Sequence, residues 1–304
     1  MTSPPKPDCC GTSDLGKVRK ANEDQFLIAE LSKSMLIHLT SLPIEDSTRL
    51  VGRRPGYLFL VADGLGGGPA GERASRLAVD SAIRTLLGTM PWFYRLGDHE
   101  GDLEDELKKV LEQCQTQIDA DVAENPSRTG MAATMTMAYV VWPRLYVVHV
   151  GDARCYLLRN ARLQQLTKDH TVNAPLPDAG EESPVRKVLW NVVGGQTSEV
   201  WPDVYRATLQ EGDTLLLATD GLTRELPDAG ISEILQGAAS AEAACTGLVE
   251  AANQAGGRDN ITVVVARFGR NEPQETLPRE AAAAVEAGPE ALPDPLLSGP
   301  DVTK

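Results

Sequence analysis

The amino-acid sequence predicts an α+β fold in which antiparallel strand hairpins are covered by amphipathic helices. Apolar residues recur at three- and four-residue spacing in two segments, and short runs rich in β-branched and aromatic residues fill the middle of the chain. Helical and strand patterns alternate up to about residue 270. With 304 residues, 42% of them apolar, the chain can bury a sizeable core in a single domain.

Two helices are predicted before the central strands. The first follows a glycine-rich loop, carries an apolar stripe and ends at Gly88; the stripe consists of Ala74, Ala78, Ala82 and Leu86. The second covers 102–125, with apolar positions at Leu103, Leu107, Val110, Leu111, Cys114, Ile118 and Val122. Each helix has one apolar face, so both must cover apolar surface.

The surface they cover is predicted to be a β-sheet. The runs ATMTMAYVV and RLYVVHV are joined by Trp142-Pro143, and the runs RCYLL and LQQLT are joined by the turn RNAR. These patterns are typical of antiparallel hairpins.

The composition sets the expected domain limits. We expect a flexible N-terminus over 1–10, a folded domain over 11–270 and a disordered tail over 271–304. The tail has six Pro, six Ala, seven acidic residues, two basic residues and no aromatic residue, so it cannot bury enough surface to offset its ordering entropy. A spacer is the favoured interpretation of the tail, with a tether or partner-binding arm as the alternative.

Charge and cysteine content limit the cellular role. The net charge of -14 disfavours nucleic acids and anionic lipids as partners. Five cysteines without a C-x-x-C pair favour reduced thiols, although Cys9-Cys10 could bind metal or form an intermolecular bridge if it is not simply part of a frayed end. Without an apolar run of about 18 residues or a secretory h-region, the sequence predicts a cytoplasmic protein with no membrane partner.

Three carboxylates adjoin apolar runs. Asp63 follows FLVA, Asp220 follows LLLAT, and Asp259 precedes NITVVV. Asp-Gly is also a common turn dipeptide, but two such pairs behind similar apolar runs favour acids gathered at strand ends. Buried carboxylates repel one another unless a cation lies among them, and oxygen ligands without His or Cys favour Mg²⁺ or Mn²⁺.

Five motifs in register resemble those of the PPM family, the metal-dependent serine/threonine protein phosphatases of the 2C type. The motifs are SDLGKVRKANEDQF, VADGLGGGPAGERAS, VHVGDARCYLLRNARLQQLTKDHT, LLLATDGLT and RDNITVVV. The resemblance runs from about residue 11 to residue 268. It implies a four-layer α/β/β/α sandwich, with two antiparallel sheets packed face to face between helices, and hydrolysis of phosphoserine and phosphothreonine in proteins.

The resemblance also implies a metal centre. Asp63 would bridge two Mn²⁺ or Mg²⁺ ions, the Gly64 carbonyl would help to hold one, and Asp220 and Asp259 would hold the other. Two ions can activate a water molecule for attack on a phosphate ester. Asp152 matches the family position for a third ion, but an acid that caps a hairpin turn explains it equally well.

Three further residues come from the R-x-x-N-E-D motif. The resemblance implies that Arg19 receives the substrate phosphate, for which a planar guanidinium is suited. It implies that Glu23 and Asp24 orient water at the metal ions. Without the motif, a solvated strand edge would be the simpler interpretation of all three.

The sequence departs from the family at several places. Gly68 stands where bacterial relatives commonly have His, Ala132-Ala133-Thr134 replaces Gly-Thr-Thr, and the flap between His170 and Leu189 is short and proline-rich. The segment 31–56 is longer than the pattern needs, with LIHLTSL as a possible added strand. We expect His149 to be a core or wall residue and nominate no histidine as a general acid.

The resemblance leads to one expected function and two alternatives. The expectation is a monomeric phosphatase acting on phosphorylated proteins, the products of a bacterial-type Ser/Thr kinase. One alternative is a catalytically silent member that binds phosphoproteins or a regulator. The other is a metal-dependent hydrolase of small phosphates.

Overall fold

The structure is a computed structural model that describes residues 6–32, 34–36, 49–51, 56–89, 100–175, 185–195 and 199–269. The chain divides into Met1–Arg270 and Asn271–Lys304, and all described residues belong to the first unit. The predicted disordered tail lies outside the described residues. So does LIHLTSL apart from its first residue.

Sixteen strands and five α-helices form the described part of the chain. The strands are β1 (Asp8–Asp14), β2 (Asp24–Leu31), β3 (Ser34–Leu36), β4 (Arg49–Val51), β5 (Gly56–Leu65), β6 (Ala132–Ala133), β7 (Met135–Val141), β8 (Arg144–Val150), β9 (Arg154–Arg159), β10 (Arg162–Gln165), β11 (Thr171–Pro175), β12 (Val185–Leu189), β13 (Val193–Gly194), β14 (Asp203–Thr208), β15 (Asp213–Ala218) and β16 (Ile261–Phe268). The helices are α1 (Pro69–Thr89), α2 (Glu100–Glu124), α3 (Asp220–Thr223), α4 (Asp228–Gly237) and α5 (Ala241–Ala255), with a 3-10 turn at Pro126–Arg128.

Two antiparallel sheets carry the fold. The larger has the order β13-β6-β5-β7-β8-β14, in which β6 and β7 pair with successive parts of one edge of β5 and β2 pairs with its other edge. The smaller has the order β1-β16-β15-β9-β10. Two separate hairpins, β3-β4 and β11-β12, complete the strand pairing among the described residues.

Alternating side chains of the central strands build the layers. Along β5, Leu58, Leu60 and Ala62 pack with α1 and α2, whereas Phe59 and Val61 face the smaller sheet. Along β15, the side chains alternate in the same way between the larger sheet and the helices α4 and α5. A strand that is buried on both faces has a continuous run of apolar residues, as FLVA of β5 and LLLA of β15 do. The structure therefore has three apolar cores: one between the first two helices and the larger sheet, one between the two sheets, and one between the smaller sheet and the last two helices. They confirm the α+β fold as a four-layer α/β/β/α sandwich.

The local predictions hold for most elements. The first predicted helix is α1, the second is α2, and both predicted hairpins occur as β7-β8 and β9-β10. The expected flexible end at 1–10 is wrong for its last three residues, because Cys9 and Cys10 lie in β1 and pair with β16. No helix in the described part of the chain is long and apolar enough to cross a membrane.

Candidate active site

Asp24 and Asp63 lie opposite each other at one edge of the larger sheet. They are register partners in the β2-β5 pair. The backbone of Asp63 is fixed by Thr134, which lies between β6 and β7: Asp63 N–H donates to Thr134 Oγ1 at 3.2 Å, and Thr134 N–H donates to the Asp63 carbonyl at 2.9 Å. These bonds hold the end of β5, and with it the carboxylate of Asp63, in one position.

The smaller sheet brings Asp220 and Asp259 to the same place. Asp220 begins α3 directly after β15, and Asp259 lies just before β16. Because β15 and β16 are antiparallel neighbours, the end of one strand and the start of the other share an edge. Thr219 Oγ1 donates to Asp24 Oδ2 at 2.8 Å, so a direct hydrogen bond joins the acidic edges of the two sheets.

Glu23 holds the glycine-rich loop against this edge. Its Oε1 accepts a hydrogen bond from Gly68 N–H at 2.6 Å, and its carbonyl accepts from Ser75 Oγ at 2.6 Å and from Gly64 N–H at 3.2 Å. A Cβ at Gly71 would lie 1.8 Å from Glu23 Oε2 and 2.9 Å from the carbonyl oxygen of Gly64, so a larger residue at this position would displace the Glu23 carboxylate from the loop. Gly68 itself has φ +57°, and a Cβ at this position would meet no atom within 4 Å.

Asn260 is a site residue that sequence reasoning did not single out. Its Oδ1 accepts from Glu23 N–H at 2.9 Å, and its Nδ2 donates to the carbonyls of Leu15 and Ala21 at 2.9 and 3.0 Å. One amide side chain therefore ties the R-x-x-N-E-D loop to the start of β16. The Asp-Asn pair in RDNITVVV was the available signal, because an Asn beside a candidate ligand at a strand start can serve both backbone donors and acceptors.

The carboxylates perturb one another strongly. Burial raises the pKa of Asp63 well above its ordinary value, and the charges of Asp24, Asp220, Asp259 and Asp152 raise it further. Burial, followed by the charge of Asp152, raises the pKa of Asp220 to about 7. Burial also raises the pKa of Asp24 to about 6. The ionised carboxylates of this cluster repel one another, and a bound cation would reduce that repulsion.

Two arginines lie among these acids. Arg19 Nη2 is 2.8 Å from Asp259 Oδ2. Arg224 contacts Asp220, and its guanidinium lies 3.6 Å from Asp152 Oδ2 and 3.6 Å from Asp259 Oδ2. Sequence reasoning missed Arg224. Its position four residues after Asp220 in a helical turn was the signal, since such residues are neighbours on a helix.

These groups surround a pocket of about 140 Å³, which we call the acidic pocket. It is lined by Arg19, Glu23, Asp63, Gly64, Leu65, Gly66, Gly67, Leu189, Asp220, Arg224, Asp259 and Asn260. Of the predicted site residues, Asp24 and Asp152 are not in this lining, and both are buried. Leu189, the last residue of β12, brings the flap hairpin to the pocket, while residues 176–184 of the flap lie outside the described residues.

His149 and His170, the two histidines near the flap, are buried structural residues. His149 is fully buried, its Nδ1 lies 2.8 Å from Thr136 Oγ1, and burial lowers its pKa to about 4. His170 Nε2 lies 3.1 Å from Asp203 Oδ2. Neither ring lines the acidic pocket.

The donor set fits a hard divalent cation. Three aspartates, Glu23 and Gly64 line one pocket, and Mg²⁺ and Mn²⁺ prefer carboxylate and carbonyl oxygens as ligands. In the arrangement of the described residues, no three acidic, His or Cys side chains are already spaced to hold an ion. The guanidinium of Arg224 instead contacts or approaches three of the aspartates. An ion would therefore have to displace this guanidinium from Asp220.

An α/β/β/α sandwich with an acidic pocket and an arginine where its sheets meet is the scaffold of metal-dependent phosphatases. Comparison with known proteins supports this class. The sequence profile of the family described as protein phosphatase 2C matches residues 38–261. The chain therefore belongs to the protein phosphatase 2C family.

Several bacterial proteins are similar to this chain. Serine/threonine protein phosphatase PstP of Mycobacterium tuberculosis is 36% identical in an alignment of 253 residues that covers 76% of this chain and 47% of PstP. Serine/threonine phosphatase stp of Listeria innocua is 33% identical over 68% of this chain and 83% of its own length. The chain thus spans about half the length of PstP and most of the length of the Listeria protein.

Solved structures agree with these relatives. The crystal structure of M. tuberculosis PstP has a TM-score of 0.65 and 30% identity, covering 87% of this chain and 99% of the PstP chain. The PstP catalytic domain in complex with two manganese ions has a TM-score of 0.61 and 30% identity, covering 86% of this chain and 98% of that chain.

Proposed function

We propose that this protein hydrolyses phosphoserine and phosphothreonine in proteins with the help of two Mn²⁺ or Mg²⁺ ions. One observation carries the proposal: Asp63, Asp220 and Asp259, which come from distant parts of the sequence, line the same pocket as Arg19. Similarity to serine/threonine phosphatases, one of them crystallised with two manganese ions, supports the reaction and the metal.

In this proposal the acidic pocket holds the metal ions. Asp63, whose pKa is raised by burial and by the charges of four other aspartates, would bridge the two ions. The Gly64 carbonyl would contribute to one of them, and Asp220 and Asp259 would hold the other. The chemistry supplied by such ions is activation of a water molecule and neutralisation of phosphate charge. Asp152 reaches the guanidinium of Arg224 at 3.6 Å, so its part in a third ion depends on whether that arginine leaves.

The remaining residues would position the reactants. Arg19 binds Asp259 through one nitrogen, Nη2, so the guanidinium has further N–H groups for two phosphate oxygens. Glu23 fixes the glycine loop through Gly68 N–H, and Asp24 is held by Thr219. We assign Glu23 and Asp24 the role of keeping the acidic edges of the two sheets, and water between them, in place.

The proposal includes the biological setting predicted from the sequence. The substrates would be phosphoproteins produced by a bacterial-type Ser/Thr kinase, and the enzyme would act as a cytoplasmic monomer without nucleic-acid or membrane partners. The net charge of -14 supports the exclusion of nucleic acids, because phosphate backbones would be repelled.

Purified protein assayed with p-nitrophenyl phosphate and a phosphothreonine peptide tests the function. We expect turnover that requires Mn²⁺ and falls by more than about 100-fold in Asp63→Asn, because loss of a ligand exceeds the 10- to 100-fold cost of losing a residue that supports one. Asp105→Asn, an exposed acid of α2, is the control. Wild-type turnover no higher than that of Asp63→Asn would contradict the proposal, and Mn²⁺ binding without turnover would favour the silent phosphoprotein-binding alternative.

A further inference from the structure

A second pocket adjoins the acidic pocket across the glycine-rich loop. Its volume is about 550 Å³, within the range of sites that hold small ligands or side chains. We call it the arginine pocket; it is lined by Gly66, Gly67, Pro69, Ala70, Glu72, Arg73, Arg76, Ser127 and Arg128.

The charges around the arginine pocket leave it positive. Arg73 and Arg128 share one carboxylate, that of Asp121, at 2.8 and 2.6 Å, and Arg76 pairs with Glu72 at 3.1 Å. Three guanidinium groups therefore face two carboxylates, which leaves a local charge of +1 in a chain whose net charge is -14. The pocket attracts anions although the molecule as a whole repels them.

Two of the guanidinium groups are held in place and still have donors to offer. Asp121 is buried, with 8% of its side chain exposed, and it joins Arg73 of α1 to Arg128 of the 3-10 turn. Among the described residues, Arg73 gives Asp121 two of its five N–H groups and Arg128 gives it one. Their side chains are 42% and 35% exposed, so a ligand can reach the remaining donors.

The glycine loop connects this pocket to the acidic pocket. Gly66 and Gly67 line both. A Cβ at Gly67 would meet no atom within 4 Å, so the surface between the two pockets is open at this residue. A peptide whose phosphorylated residue enters the acidic pocket can pass over Gly67 and place a neighbouring side chain beside the arginines.

We propose that the arginine pocket binds an anionic side chain of the phosphoprotein substrate, a carboxylate or a second phosphate, close in sequence to the residue that is hydrolysed. Arginine suits this role because its planar group can bind two oxygens of either anion. The inference rests on the proposed function and adds a substrate preference to it: acidic or multiply phosphorylated segments should be better substrates than neutral ones.

Initial rates with three phosphothreonine peptides of equal length test the preference. The residues flanking the phosphothreonine would be Gln in the first peptide and Glu in the second, and the third would carry a second phosphothreonine among Gln residues. We expect kcat/KM for the Glu and doubly phosphorylated peptides to exceed that for the Gln peptide by about tenfold. In Arg76→Gln and in Arg128→Gln, this ratio should fall at least threefold.

Arg84→Gln is the matched control. Arg84 lies on α1 like Arg76, pairs with Asp80 four residues away as Arg76 pairs with Glu72, and does not line the pocket. The Arg84→Gln substitution removes one positive charge, as Arg76→Gln does. The preference in kcat/KM for the anionic peptides should therefore stay at its wild-type value in Arg84→Gln. Equal kcat/KM for all three peptides in the wild type, or an equal ratio in all three arginine variants, would overturn the proposal.

A binding measurement separates this inference from the proposed function. Fluorescence anisotropy with labelled peptides and the Asp63→Asn variant reports affinity without turnover. Tighter binding of the Glu or the doubly phosphorylated peptide, lost in Asp63→Asn/Arg128→Gln, supports the pocket even if the wild type proves inactive, and shows which anion it prefers. Equal affinity for all three peptides overturns the pocket even if the wild type is an active phosphatase.

Discussion

Arg224 places a positive charge among the carboxylates proposed to bind metal. Its guanidinium contacts Asp220 and lies 3.6 Å from both Asp152 and Asp259. A cation in this position neutralises the acidic cluster of the metal-free protein, and it also competes with Mn²⁺ for the same oxygens. Arg224 should therefore weaken metal binding in this chain.

Calorimetric titration of Arg224→Met with Mn²⁺ tests this role. We expect the Kd for Mn²⁺ to fall at least fivefold, because a unit charge about 4 Å away is worth about 1 kcal/mol in bulk water and about 4 kcal/mol at a protein surface. Arg258→Met is the control, since Arg258 is a nearby exposed arginine that pairs with Glu225 instead. An unchanged Kd in Arg224→Met would show that the guanidinium leaves the site without measurable cost.

The acidic residues of the pocket could be predicted from the sequence, whereas Arg224 and Asn260, which contact the acidic residues and the loops around them, were missed. Asp63, Asp220 and Asp259 adjoin runs of apolar residues, and that local pattern marks strand ends. Arg224 and Asn260 act through contacts with residues far away in the chain, such as Asp152 and Leu15. The spacing from Asp220 to Arg224 and the Asp-Asn pair are local signals for these two residues, but their contacts with distant residues follow from the fold.

The junction of β5 and α1 depends on a close approach of two backbones. A Cβ at Gly64 would lie 2.0 Å from the carbonyl oxygen of Gly71 and 2.9 Å from that of Glu23. Both neighbours are backbone atoms, so they cannot move aside as a side chain could. The glycine at position 64 is therefore required for the loop that places Asp63 beside Glu23.

The variant Gly64→Ala should be destabilised by about 3 kcal/mol, at the upper end of the cost of overpacking, and should lose activity with it. Urea denaturation followed by circular dichroism measures the loss. Gly237→Ala serves as the control, because a Cβ at the end of α4 would meet no atom within 4 Å. Equal stability of the two variants would mean that the loop can shift without cost.

Among the elements, the helices and hairpins were predictable because their signals are local. The apolar spacing of α1 and α2 and the turns after β7 and β9 follow directly from neighbouring residues. The strand β1 was missed: Cys9 and Cys10 were assigned to a frayed end, yet they pair with Ala266 and Val265. A strand whose partner lies some 250 residues away has no nearby turn to reveal it.

For the whole molecule, the residue pattern predicted an α+β fold, but the order of layers came only from the resemblance to a known family. Periodicity shows that a strand is buried on both faces without showing what covers each face. The packing supplies the answer: the odd and even residues of β5 enter different cores. The same arrangement brings Asp24 of one sheet next to Thr219 of the other.

The acidic pocket makes the stability of the metal-free protein depend on pH. Burial raises the pKa of Asp220 to about 7, whereas an unfolded Asp has a pKa of about 3.9. The folded chain therefore holds more protons than the unfolded chain between about pH 4 and pH 7. The contribution of Asp220 to stability is fully present below that window and is lost as the pH rises through about 7. His149 acts in the opposite direction, since burial lowers its pKa to about 4.

Comparing the wild type with Asp220→Asn isolates the contribution of Asp220 from that of His149. In EDTA, the Tm of Asp220→Asn minus that of the wild type should be several degrees larger at pH 8 than at pH 5.5, because about 1 kcal/mol shifts Tm by about 2–4 °C in a domain of this size. Addition of Mn²⁺ should raise the Tm of the wild type more at pH 8 than at pH 5.5, because protons no longer compete with the ion for the carboxylate at pH 8. Differential scanning fluorimetry measures both effects. A Tm difference that is the same at both pH values would mean that Asp220 is already ionised at pH 5.5, and that Arg224 alone compensates its charge.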